Sequence, residues 1–279
     1  MERENSFERI LLATDGSDQS EAAVDATIEL ARFTGTVVRV AHICAAGNRG
    51  DAETLLAGTV ERLWVAGVMA DKEVVGADPG HVAAAISTVA REFKADLVVL
   101  GSRGLSDWSS LFKHSVSHQV LAAVDCPVLV VRTRPAGDIA STRRILVAVA
   151  GGDDIAPAVR AAAAVARSRR CAVMAVHVAQ AIVSPPGLAY FESDEEIRST
   201  IAQALQELRD AGVAAEGMVA PAGPVATTLA RVAEDWNADL IVTGSSRMGD
   251  AASLVFGSVS HGLLHESGVP VLIAERVKP

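Results

Sequence analysis

The chain repeats itself, and the length of the repeat limits what it can fold into. Residues 8–32, ERILLATDGSDQSEAAVDATIELAR, resemble 143–167, RRILVAVAGGDDIAPAVRAAAAVAR. AHI at 41–43 resembles VHV at 176–178, and KADLVVLGSRG at 94–104 resembles NADLIVTGSSR at 237–247. DCPVLVVR at 125–132 resembles GVPVLIAE at 268–275. The separation is 135 residues early (143 minus 8) and 143 late (237 minus 94), so the second copy carries about eight extra residues. These are expected near SPPGLAYFESDEE, 184–196. A period of this size is a duplicated domain and not a solenoid. The join falls in RPAGDIAST, 134–142, a linker by its Pro, Gly, Ser and Thr content. The expected domains are 1–135 and 143–279, with 136–142 between them.

Each copy alternates strand and helix patterns. In the first, ILLAT is a short apolar run ending in the turn-like DGS, and a helical pattern follows from Ser20 to Arg32. TVVRVAHI is strand-like, 51–67 helical, and EVV a short strand. DPGHVAAAISTVAREF combines turn and helix, and DLVVL is continuously apolar, as a parallel strand buried on both faces should be. HSVSHQVLAAV reads as a last helix and PVLVVR as a last strand. In the second copy 194–211 is helical. Alternation of this kind predicts an α/β fold: two doubly wound, open parallel-sheet domains of Rossmann-like type, duplicated in tandem. Such sheets bind ligands at the carboxyl ends of their strands, where the strand order reverses. Asp15 follows the first strand of the first copy and Gly101 the fourth, so both loops belong to that end.

Composition narrows the function classes. Half of the residues are hydrophobic, but only 4% are aromatic, which suits a core of small side chains in regular elements. The formal net charge of −9 argues against nucleic acid as a partner. Cys44, Cys126 and Cys171 are far apart and form no CxxC, which points to a reducing compartment and away from a zinc site. No run approaches the roughly 20 apolar residues that span a bilayer, and MERENSFERI has no apolar signal core. A soluble, cytoplasmic protein is expected.

The loop GSRGLSDWSSLFKHSVSHQV, 101–120, opens as a phosphate-holding loop would open, with Gly101, Ser102, Arg103 and Gly104. It ends in His114-Ser115. Its counterpart GSSRMGDAASLVFGSVSHGL, 244–263, has Gly257-Ser258 at the far end but Arg247 at the fourth position. There is no GxxxxGK[ST] and no GxGxxG after a strand, so neither a P-loop nor a dinucleotide fingerprint is present. AGGDDI, 150–155, lacks both serines of the SGGxDS loop found in pyrophosphate-releasing ATP enzymes.

On ATDGSDQS, AHI, GSRG, HSVS and CPVLVVR in the first half, and VHV, GSS, GSVS and VPVLIAE in the second, the chain resembles the universal stress protein family in its tandem form. The resemblance covers nearly all of both halves and implies an adenine nucleotide alpha hydrolase-like fold. It also implies a cytoplasmic stress-response regulator with ATP as a possible ligand, accompanied by a divalent metal that the sequence leaves unspecified. The family's nucleotide pattern is glycine, two residues, glycine, nine residues, glycine, then Ser or Thr. Glycines let the backbone approach a phosphate and reach positive φ, a helix start favours an anion, and the hydroxyl adds a donor. An acid after the first strand can meet the nucleoside, and an apolar residue after the second can flank the base.

Carried over residue by residue, the pattern gives Asp15, Ile43, Gly101, Gly104 and Ser115 in the first half; Arg103 and Arg247 read as solvated loop cations, either able to meet a phosphate. His114 stands where the third glycine would be. It either fills the space of a phosphate or meets the anion with its imidazole. In the second half Gly244, Gly257 and Ser258 match, Arg247 replaces the middle glycine, and Ala150 replaces the acid. Any ATP is therefore expected mainly in the first half.

The residues also carry plainer readings. Asp15 can be a turn and helix-cap residue, and GSRG the connection the fold requires. His114 with His118, and His261 with His265, share helix faces at a spacing that suits a metal, but no third ligand is fixed beside them. Trp64, Trp108 and Trp236 read as packing residues. Three function classes follow: a nucleotide-binding regulator, a nucleotide-free scaffold with degenerate sites, and a weak ATPase. No nucleophile–base pair or carboxylate pair can be argued from spacing, so the residues name no catalytic group and enzymatic activity stays open. The apolar runs 127–132 and 270–275 end the two copies, and an exposed strand of this kind calls for a cover. Pseudo-twofold packing of the two domains through these strands is expected, with further homo-oligomerisation through other surfaces.

Overall fold

Ile10, Leu11 and Leu12 are fully buried, and their β-strand, β1 (Arg9–Ala13), is the middle strand of a five-stranded parallel sheet. A computed structural model describes residues 7–45, 49–102, 116–132, 143–150, 155–184, 187–244 and 258–274. Two compact units divide the chain, Met1–Ala140 and Ser141–Pro279.

In the first unit β1 is followed by α1 (Asp18–Ala31), β2 (Val37–Cys44), α2 (Arg49–Val65), β3 (Met69–Gly76) and α3 (Val82–Phe93). Then come β4 (Leu97–Ser102), α4 (Val116–Ala123) and β5 (Val128–Arg132). The strand order is β5-β4-β1-β2-β3, every pair parallel. The chain thus builds outward from β1 to β3 and then jumps back across β1 to β4. That reversal, between β1 and β4, is the switch point at which doubly wound sheets leave a crevice. It also sends α3 and α4 to the face opposite α1 and α2. Arg62 of α2 pairs with Glu21 and, at 2.8 Å, Asp25 of α1, while α3 and α4 pack on each other.

The second unit repeats this with β6 (Arg144–Ala148), α5 (Ala156–Arg169), β7 (Ala172–Val178), α6 (Asp194–Asp210), β10 (Ala215–Ala220), α7 (Val225–Asp235), β11 (Leu240–Gly244), α8 (Ser258–Glu266) and β12 (Val271–Ala274). Its strand order is β12-β11-β6-β7-β10, again parallel throughout. The extra residues form an antiparallel hairpin, β8 (Ala181–Ser184) and β9 (Gly187–Tyr190), on the exit of β7. The fold class agrees with the sequence reading, while these two added strands go beyond it.

Details of the duplication explain the repeated words. Asp96 accepts from the backbone N–H groups of Glu8 and Arg9 at 2.6 and 3.0 Å, and Asp239 accepts from those of Arg143 and Arg144 at 2.8 and 3.1 Å. Each thereby ties the entry of the fourth strand to the entry of the first. Burial pushes the Asp96 carboxyl up from its ordinary range, against the lowering effect of those two donors. Lys94 and Asn237, two residues before these acids, both end a helical segment with a left-handed residue, φ 55° and 53°.

Candidate functional site

Thr14 leaves β1 fastened to β2. Its N–H donates to the Ala41 carbonyl at 3.0 Å, and its own carbonyl lies 2.8 Å from Nδ1 of His42. Gly16 then turns at φ 76°, and its N–H donates to Thr14 Oγ1 at 3.2 Å. The turn is close-packed, for a Cβ on Gly16 would lie 2.1 Å from Leu55 Cδ1 of α2. Between these anchors Asp15 is exposed at the carboxyl end of the sheet.

Asp15 has work inside the turn. Its Oδ1 accepts from the Ser17 N–H at 3.0 Å and the Ser17 hydroxyl at 2.6 Å, and Ser17 is the N-cap of α1. This is the turn-and-cap role that the residue types allow. Both of these bonds fall on the same carboxylate oxygen.

Gly101 is the penultimate residue of β4, where the sequence reading put it after the strand. Ala13 pairs with Leu100, so Thr14-Asp15 and Gly101-Ser102 leave adjacent strands side by side at the switch point. Ile43 is the next-to-last residue of β2, half-buried and opposite Val75 of β3. Asp15, Gly101 and Ile43 therefore gather at one end of three neighbouring strands. Arg103, Gly104, His114 and Ser115 lie outside the described residues, as do Arg247 and Gly257 of the second half.

In the second unit Gly244 ends β11 and Ser258 opens α8. Ser260, buried in the first turn of α8, donates its hydroxyl to the Gly244 carbonyl at 3.0 Å, so the two ends of the loop meet. Ala150 is exposed where the first unit has Asp15, and it brings no acceptor side chain.

The sequence reading used AHI and VHV as family markers and gave neither histidine a task. The structure gives both the same one. His42 fixes the carbonyl of Thr14, and Nδ1 of His177 lies 3.1 Å from the carbonyl of Val149, the residue after β6. A histidine at the same place in both repeats was the available signal. His261 and His265 do approach on α8, ring centroids 4.7 Å apart. No group of three potential metal ligands occurs among the described residues. Trp64 donates to the Ala70 carbonyl at 3.0 Å, and Trp236 lies under the Arg144 guanidinium at 5.7 Å. Among the described residues no helix is long and apolar enough to cross a membrane.

Comparison with known proteins follows the duplication. YxiE of Bacillus subtilis, a universal stress protein, is 33% identical over 150 residues, 45% of this chain and 99% of its own length. The universal stress protein Mb2028c of Mycobacterium bovis is 31% identical over 191 residues, 66% of this chain and 63% of its own. A universal stress protein structure from Archaeoglobus fulgidus matches the fold with a TM-score of 0.77 at 20% identity, covering 98% of this chain and 97% of that one. The model of the universal stress protein family matches twice, at residues 6–132 and 141–275, and the chain belongs to that family as a tandem of two copies.

Proposed function

We propose that this protein is a nucleotide-binding stress regulator that takes one ATP, in its first half, between the Asp15 turn and the loop that begins at Gly101. The observation that carries this reading is the hydrogen-bonded turn Thr14–Ser17, which holds a carboxylate beside Gly101 near the end of β4 at the switch point. Asp15 would receive the hydroxyls of the nucleoside, Ile43 would flank the base, and the backbone after Gly101 would receive the phosphates, with Arg103, Gly104 and Ser115 continuing that cradle. His114 stands in place of a glycine, and His114→Gly is expected to strengthen binding. The second half, with Ala150 and Arg247, lacks the acid and the middle glycine.

A second reading, a nucleotide-free scaffold, draws on the engagement of Asp15 with Ser17, which a purely structural turn also explains. Acid release and chromatography of freshly purified protein separates the two. An adenine nucleotide at close to one per chain supports the regulator; protein that carries none and takes none up from solution supports the scaffold.

A further inference from the structure

The second unit buries a histidine between two oxygens that both call for a hydrogen. Nδ1 of His177 lies 3.1 Å from the Val149 carbonyl, Nε2 lies 2.9 Å from Oε2 of Glu192, and the side chain is 2% exposed. A carbonyl oxygen only accepts, so Nδ1 carries a hydrogen. An ionised carboxylate also only accepts, so Nε2 needs a second one. The arrangement therefore contains one proton more than a neutral imidazole and a carboxylate. Either an imidazolium faces the carboxylate, or a neutral imidazole faces a carboxylic acid. Without that proton, two lone pairs would oppose each other at 2.9 Å against a buried ring, which is costly.

Where this proton acts follows from the chain. Glu192 stands at the exit of the β8–β9 hairpin, whose root is closed by the Phe191 N–H donating to the Gln180 carbonyl at 2.9 Å. The next residue, Ser193, caps α6. The first unit provides the contrast. His42 makes the same Nδ1 bond but is half exposed, its connection to α2 is short, and among the described residues nothing meets its Nε2. The contact to Nε2 is thus found in the unit that carries the hairpin.

Glu192 is the one carboxylate within 4 Å of the imidazole among the described residues. β10 places Val219 opposite His177 and carries Glu216 three residues earlier. At the start of α6, Asp194 pairs with Arg198 and Glu196 with Ser193, and Glu195 is exposed. Of the other helices packed on β7, α5 carries Arg160, Arg167 and Arg169, and α7 carries Arg231, Glu234 and Asp235. Asp153 and Asp154, on the connection from β6 to α5, lie outside the described residues.

We infer that His177 and Glu192 form a proton-dependent latch that fixes the root of the hairpin Ala181–Tyr190 at the carboxyl end of β7. That end corresponds to the candidate site of the first unit. The latch is closed while the pair holds its proton and opens when the proton is lost, freeing the insertion. This inference does not depend on nucleotide binding.

Hydrogen exchange of the full chain tests it, with rates corrected for the intrinsic pH dependence of exchange and the first unit as internal reference. Across a pH series from mildly acidic to alkaline, wild-type protection of peptides covering 180–192 should fall at least about fivefold toward the alkaline end. Glu192→Gln can donate an amide hydrogen to the Nε2 of neutral imidazole and needs no extra proton, so its protection should stay flat across that range. Glu192→Ala should be weakly protected throughout. The double variant Asp153→Asn, Asp154→Asn should keep the wild-type slope. A flat wild-type profile, an equal slope in Glu192→Gln, or loss of the slope in the Asp153/Asp154 variant would each overturn the latch.

Discussion

Replacing Gly16 by alanine probes the turn on which the first-half site rests. Two costs add. Gly16 sits at φ 76°, where an L-residue loses roughly 1–2 kcal/mol. The new Cβ would also lie 2.1 Å from Leu55 Cδ1, and such overpacking costs about 1–3 kcal/mol. Leu55 is a half-buried side chain that can rotate, so the lower part of that range applies. The stiffer unfolded chain returns roughly 0.4–1 kcal/mol. The net expectation is about 2 kcal/mol of lost stability in the first unit, or about a thirtyfold faster exchange of its slowest amides. Hydrogen exchange of β1 and β4 reads this directly, with β6 and β11 of the second unit as reference. The double variant Gly16→Ala, Leu55→Ala should be about 1 kcal/mol more stable than the sum of the single effects, because the overlap is gone and the backbone cost remains. A neutral Gly16→Ala, or strict additivity with Leu55→Ala, would show that the turn is not packed as described.

Other substitutions and conditions test separate parts of the account. Gly262 of α8 has room for no Cβ, since one would lie 2.5 Å from the Cβ of Ala226 on α7. Gly262→Ala should lower second-unit stability by about 1–3 kcal/mol, and adding Ala226→Gly should restore part of it, as thermal or urea unfolding will report. The N–H and hydroxyl of Ser193 hold the Glu196 carboxyl below its ordinary range. A lowered carboxylate stabilises the fold above its unfolded pKa and loses that effect as pH falls through the folded value. The start of α6 should therefore fray first on acidification, and Ser193→Ala, which loses the hydroxyl but keeps the N–H donor, should reduce this pH dependence in exchange measurements. Burial pushes the Cys171 thiol up to about 11. At pH 8 only about one part in a thousand is thiolate, so iodoacetamide should label Cys171 in the folded chain far more slowly than in urea.

Much of the fold was legible because the sheet is parallel and buried. DLVVL and PVLVVR are continuous apolar runs, as strands covered on both faces must be, and they became β4 and β5. β3 was harder to read. Only EVV was recognisable, yet the strand runs Met69–Gly76, because it lies at the end of the strand order and carries Asp71, Lys72 and Glu73. Those charges gain partners only in three dimensions: Arg39 of β2 grips Asp71 with bonds of 2.8 and 2.6 Å and reaches Glu73 at 3.3 Å. The hairpin β8–β9 was visible as added length and not as strands, since SPPG reads as a loop.

At the candidate site, Asp15, Gly101 and Ile43 were proposed from the family pattern, and the strand order explains why they lie at one end of neighbouring strands. Asp15's bond to Ser17 was one of two readings open from the sequence, and the turn realises it. His42, His177 and Glu192 escaped because each acts through a partner distant along the chain. A carbonyl 28 residues away is what His42 serves, and no local spacing announces that.

Calorimetric titration of ATP into the full chain, compared with Asp15→Ala and with Ser258→Ala, tests the central claim most directly. The account predicts one site per chain, binding weakened at least about tenfold by Asp15→Ala, a loss of about 1.4 kcal/mol, and affinity unchanged by Ser258→Ala. Equal affinity in wild type and Asp15→Ala, or a loss confined to Ser258→Ala, would contradict it.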